Sequence, residues 1–144
     1  MNFSLHPRLA ADCHPLGTFE LCLALVMNDA RYPWVILVPQ RPGIREIIEL
    51  SDGEQAQLWR ESSALSLAMM RACGGDKFNL AALGNQVEQL HVHHVVRRIG
   101  DAAWPAPVWG QGAPVAYAPE ALHGLRERLL AQLPSPFRVA VSPP

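Results

Sequence analysis

The chain has 144 residues, 49% of them hydrophobic and 17% charged, with a formal net charge of −1. That length suits one globular domain with its own core, so residues 1–144 are read as a single domain. The near-neutral balance gives no general attraction for a nucleic-acid backbone or an anionic membrane, although a local pocket can still be positive enough for a few phosphates.

The first residues, MNFSLHPRLAADCH, lack the basic start and apolar stretch of a secretion signal. The longest apolar run, near LCLALVM, is too short to span a bilayer. Cys13, Cys22 and Cys73 are widely spaced and form no CxxC pair. They point away from a disulfide framework or a cysteine zinc site, and toward a cytoplasmic protein with reduced thiols.

In chain order, FELCLALVM (19–27) predicts a strand and NDARYP a turn. WVILVP (34–39) predicts a second, well-buried strand, stopped at PQRPG. Ser51 opens the clearest helix, because S-D-G-E can form a capping box between Ser51 and Glu54. Leu58, Leu65, Met69 and Ala72 fall on one stripe of it, with Gln57, Arg60 and Glu61 turned outward and Trp59 read as packing. Gly74 and Gly75 supply the stop.

KFNLAALG and VEQLHVHHVVRR predict two more strands, joined by a tight turn at Gly84-Asn85. DAAWPAPVWGQGAP is irregular; Trp104 and Trp109 there either stack on a base or pin the C-terminal segment, the second being preferred. Pro119 starts a last helix that turns Leu122, Leu125, Leu129 and Leu133 inward and ends at Pro134. The tail PSPFRVAVSPP is read as irregular. This order of elements predicts an α+β fold with an antiparallel sheet.

Three of the six histidines crowd into QLHVHHVVRR, residues 89–98. Side chains on a strand alternate faces, which puts Gln89, His91 and His93 together and Leu90, Val92, His94 and Val96 on the other, apolar side. His94 is therefore read as structural, and a valine there as tolerated or mildly stabilising. The His91–His93 pair admits three readings: a half-exposed strand without chemistry, a metal site needing a third ligand, or nucleophilic catalysis. His6, His14 and His123 sit on no metal spacing. Arg97 and Arg98 read equally as phosphate attractors or a solvated strand end.

This stretch resembles the signature of the histidine triad (HIT) superfamily of nucleotide hydrolases and transferases, His-φ-His-φ-His-φ-φ, with φ apolar. Read as Gln-Leu-His-Val-His-His-Val, it replaces only the opening histidine, by Gln89. Gly84-Asn85 stands where the family often carries Gly-Gln, and Arg97 where it often carries an Arg. LVMNDARYPWVILVP resembles the family's ribose-contacting strand and turn, LSDGEQAQLW the start of its long helix, and FNLAALGNQ its phosphate-side strand. The likeness covers about residues 15–100. Within 101–144, AWPAPVWG looks like the tail of a bacterial HIT-like, diadenosine-tetraphosphate-hydrolase-like branch.

The resemblance implies a five-stranded antiparallel sheet with a long helix and a C-terminal helix packed against it, usually in a homodimer. It implies a nucleotide or dinucleoside polyphosphate substrate, attacked at the α-phosphorus by His91 through a nucleotidyl-histidine, with no metal or cofactor. His93 would stabilise the transferring phosphate, and the Gln89 carbonyl would hold the second ring nitrogen of His91. Asn28 or Asp29 would take the ribose hydroxyls; Gly84, Asn85 and Asn79 would serve the phosphate. A nucleotide-binding protein with a drifted triad is the alternative that Gln89 raises, and a His-x-His metal site a lesser one.

Overall fold

The computed structural model describes residues 1–141. Helix α1 (Pro7–Asp12) leads into strands β1 (Cys13–Thr18), β2 (Cys22–Met27) and β3 (Trp34–Pro39). The long helix α2 (Asp52–Cys73) follows, then β4 (Lys77–Ala81), β5 (Val92–Arg97), α3 (Pro119–Gln132) and β6 (Arg138–Val139). All pairings are antiparallel, in the order β4-β5-β3-β2-β1-β6. The sheet thus has six strands where five were expected.

The extra strand comes from the tail read as irregular. Arg138 and Val139 pair with Thr18 and Gly17 of β1, and Phe137 packs edge-on against Phe19. A side chain at residue 17 would collide with the Arg138 carbonyl, so glycine is what lets the tail close this edge. Residues 142–144 of that tail lie outside the described residues. β1 was also unforeseen, since Pro15 and Gly17 disguise it, and the ladder indeed carries an irregularity between them.

Both faces of the sheet are covered, and all six β3 residues are buried, which explains the unbroken apolar run WVILVP. One layer holds Val35, Leu37, Val92 and Val96 against Leu58, Leu65 and Met69 of α2 and Leu125 and Leu129 of α3. The other holds Trp34, Ile36, Val38 and Val95 against Leu9, Val87, Ala103 and Val108. Alternation on β5 therefore sorts the histidines as expected.

Helix α2 begins with the expected capping box: the Ser51 hydroxyl accepts from the Glu54 N–H, and the Glu54 carboxylate accepts from the Ser51 N–H. Its faces need two corrections. Glu61 is buried, not outward, and its carboxylate accepts from the Leu21 and Cys22 amides at 2.9 and 2.8 Å. Those two donors sit where β2 begins, and burying their acceptor satisfies them. Trp59, in contrast, is 50% exposed and does not fill the core.

His94 faces α2, but it is not a passive core residue. A carbonyl can only accept, so Nδ1–H donates to the Val92 carbonyl at 3.0 Å; Nε2 then accepts from the Ser62 hydroxyl at 2.7 Å. Both side chains are buried. A valine here strands the Ser62 hydroxyl, so His94→Val should lose about 1–3 kcal/mol in denaturant unfolding at pH 7, rather than gain stability. The sign reverses part of this in acid. Burial holds His94 down to about 4 against its usual 6.5. Between those values the unfolded chain takes up a proton that the native chain refuses, so wild-type stability falls as the pH drops through the window. The variant lacks that group, and its deficit should narrow from pH 6.5 to pH 4. A deficit constant with pH would contradict a neutral His94.

Candidate functional site

On the layer opposite α2, the sheet opens into a cleft of about 390 Å³. His91, His93, Trp34 and Met27 line it from the sheet, Arg8, Leu9 and Asp12 from α1, and residues 83–87 from the loop between β4 and β5. Trp109 and Gly110 complete it. The predicted tight turn at Gly84-Asn85 is instead part of a broad loop over residues 82–91, in which Gly84 adopts φ 75°. That left-handed turn, easy for glycine, carries Gly84 and Asn85 to the rim.

The two cleft histidines are held as opposite tautomers by what their second nitrogens meet. His91 lies just before β5, and its Nδ1 is 2.7 Å from the Gln89 carbonyl. The carbonyl can only accept, so Nδ1 carries the proton and Nε2 of the neutral ring keeps its lone pair. His93 Nδ1 is 3.0 Å from Trp34 Nε1. An indole N–H can only donate, so here Nδ1 carries the lone pair and Nε2 the proton. The rings meet edge to face, with centroids 4.9 Å apart. His93 also packs edge-on against Trp109, at 5.1 Å. Burial, followed by the nearness of His91 and His94, pushes His93 down to about 3. It is neutral at pH 7.

Gln89 contributes its backbone to this arrangement and not its side chain. The Gln89 side chain accepts from the His6 amide at 2.9 Å and donates to the Ser4 carbonyl at 2.9 Å. It fastens the N-terminal segment. His6 in turn caps α1 by accepting from the Arg8 amide, which positions Arg8 and Asp12 at the cleft.

Three of the expected substrate contacts lie elsewhere. Asp29 is 2% exposed and spent on Arg31, which it grips at 2.8 and 3.0 Å, and on the Val115 amide. Burial opposes its ionisation, but the hydrogen bonds from Arg31 and the Arg31 and Val115 amides hold its carboxyl below the usual range. Asn28 accepts from the Tyr117 amide. Asn79 accepts from Arg97. None of the three is among the residues that line the cleft.

Arg97 is neither a phosphate attractor nor a solvated end: it is 1% exposed and pairs through two bonds with Asp101, at 2.8 and 2.9 Å. Trp104 lies against its guanidinium, as does Tyr32. Trp104 thus pins the C-terminal segment, while Trp109 lines the cleft. Arg98 donates to the Cys73 and Gly74 carbonyls at the end of α2.

Arg8, Asp12 and Trp34 are cleft residues that the sequence reading passed over. α1 is too short to announce itself by periodicity. Trp34 shares a face with Ile36, the cross-strand partner of His93, but only the β3–β5 register reveals that pairing. No group of three or more histidine, cysteine or acidic side chains suited to a metal occurs among the described residues, and no helix among them is long and apolar enough to cross a membrane.

Comparison with known proteins identifies the family. Residues 8–100 match the HIT domain family. A histidine triad protein from Marinobacter aquaeolei is 56% identical, with a TM-score of 0.90 over 92% of this chain and 97% of that one. One from Bradyrhizobium japonicum is 46% identical, with a TM-score of 0.91 over 92% and 99% of the two chains. One from Sinorhizobium meliloti is 44% identical, with a TM-score of 0.89 over 91% and 97%. No match is found among the curated proteins. With the family matched over most of the chain and these solved structures matched almost end to end, this chain belongs to the HIT domain family.

Proposed function

We propose that the cleft takes a nucleotide or dinucleoside polyphosphate and that His91 acts as nucleophile on its α-phosphorus. The observation that carries the reading is the hydrogen bond from His91 Nδ1 to the Gln89 carbonyl, which leaves Nε2 free to attack. As the Nε2–P bond forms, the bond from phosphorus to the leaving group breaks and its electron pair departs with that group. The ring becomes cationic, and the Gln89 carbonyl, still accepting from Nδ1, stabilises it. Water then attacks phosphorus, the pair of the N–P bond returns to Nε2, and a nucleoside monophosphate and a proton are released; another acceptor in place of water makes the same site a nucleotidyltransferase. The cycle needs no metal.

Gly84 and Asn85 at the rim supply donors for the phosphate, with Arg8 beside them as the cleft's cation. The Asp12 carboxylate, paired with Arg8 at 3.5 Å, offers the cleft an acceptor for ribose hydroxyls. Intact-protein mass spectrometry after acid quench, with a panel of adenosine and guanosine substrates, tests this directly. The expected result is a mass increase of one nucleoside monophosphate. No adduct and no turnover across the panel, with nucleotide still bound, would establish the alternative of a binding protein with a drifted triad. The position of Gln89, whose side chain is tied to Ser4 and His6 instead of the cleft, is what favours that second reading.

We also propose a homodimer joined through β4. This strand ends the sheet, and Leu80 on it and Leu83 just beyond are 41% and 48% exposed. An open edge with apolar side chains is a template for a second copy. Sedimentation equilibrium should give twice the chain mass, and Leu80→Lys should shift it toward the monomer. A monomeric wild type would end the idea.

A further inference from the structure

Trp34 and His93 are 6% and 5% exposed, and the indole N–H donates to His93 Nδ1 at 3.0 Å. A proton on Nδ1 would point at a proton on the indole. Two states of His93 are therefore penalised: the neutral form protonated at Nδ1, and the imidazolium, which carries both protons. The imidazolium is opposed further by burial and by the His91 ring at 4.9 Å.

We propose that Trp34 is a positioning residue whose indole N–H fixes His93 as a neutral Nε2–H donor, and that this selects substrates whose leaving group departs as a stable oxyanion. A neutral ring that gave up its Nε2 proton would become imidazolate, so His93 lends a hydrogen bond to a phosphoryl oxygen and keeps its proton. An amine leaving group has to gain a proton as the P–N bond breaks, and nothing at His93 supplies one. A phosphate chain leaves as an anion, taking the electron pair of the P–O bond, and needs no proton. The cleft then favours dinucleoside polyphosphates over nucleoside phosphoramidates. The substrate preference rests on the nucleotidyl-transfer reading of the cleft; the tautomer does not.

Long-range proton–nitrogen NMR on histidine-labelled wild-type protein at pH 7 tests the first part alone. The expected pattern for His93 is an unprotonated Nδ1 and a protonated Nε2; the reverse pattern, or imidazolium, would overturn the role of Trp34 whatever the activity. Trp34→Phe, which keeps a ring but removes the donor, should shift His93 toward a mixture of forms; an unchanged spectrum would likewise overturn it. The second part is read from kcat/KM for diadenosine tetraphosphate and adenosine 5′-phosphoramidate. General-acid help is worth roughly 10²–10⁴-fold, so the wild type should favour the former by at least about 10²-fold, and Trp34→Phe should narrow the gap. Equal use of both, or preference for the phosphoramidate, would overturn the selection. Turnover of neither, with the His93 pattern as expected, would sink the catalytic reading and the selection together while leaving the tautomer standing.

Discussion

His91→Ala protein should form no nucleotide adduct and lose on the order of 10⁴–10⁶-fold in kcat, the scale seen when a covalent nucleophile is removed. Its stability should stay within about 1 kcal/mol of wild type, since the lost interaction is one hydrogen bond to a carbonyl. Mass spectrometry after acid quench and a denaturant melt on the same sample check both halves. The comparison with Val95→Ala matters, because Val95 shares the face of His91 and His93 but has no chemistry to offer. An equal loss from a folded Val95→Ala would mean that the third position of the motif has been misplaced. Retained activity in His91→Ala would move the nucleophile elsewhere altogether.

The largest stability effect is expected at Asp101. Its carboxylate accepts from Nε and Nη2 along one edge of the buried Arg97 guanidinium and also from the Arg98, Ala103 and Trp104 amides. The bonds from Arg97 come first in keeping its carboxyl near 2. Asp101→Ala leaves a charge without its counter-ion in the core, a loss of about 3–5 kcal/mol. Against a usual total of about 5–15 kcal/mol, that is enough to bring the melting temperature down sharply. Urea unfolding of the variant beside Asn79→Ala separates the causes, since Asn79 gives Arg97 only one neutral acceptor. A loss at Asp101 no larger than that at Asn79 would show that water reaches the guanidinium.

What could be read in advance was whatever local spacing determines. WVILVP ran unbroken because β3 is covered on both faces, and Ser51 and Glu54 cap α2 within one turn, so both were legible. Parity on β5 separated His91 and His93 from His94 without any knowledge of the neighbours. What could not be read was where a side chain finds its partner across the fold. Asn28, Asp29 and Asn79 are the right residue types for a sugar or a phosphate, but Tyr117, Arg31 and Arg97 had already engaged them. Ser62 is an ordinary helix residue until His94 is set beside it. β6 exists only because β1, more than a hundred residues earlier, offers a glycine to lie against.

His93 and His94 are neighbours in sequence that back onto opposite layers, and this makes the alignment of β5 on β3 decisive for the cleft. If β5 slid by one residue, every side chain would change face. In one direction His94 would enter the cleft and leave Val95 to meet Ser62; in the other, Val92 would take the place of His93. Arg97 opposes both, because a change of face would carry its charge to the layer that packs on the leucines of α2. The buried ion pair thus serves as an index mark for the sheet, in keeping with the best-attested use of such pairs, and it helps to decide which of two adjacent rings faces the cleft.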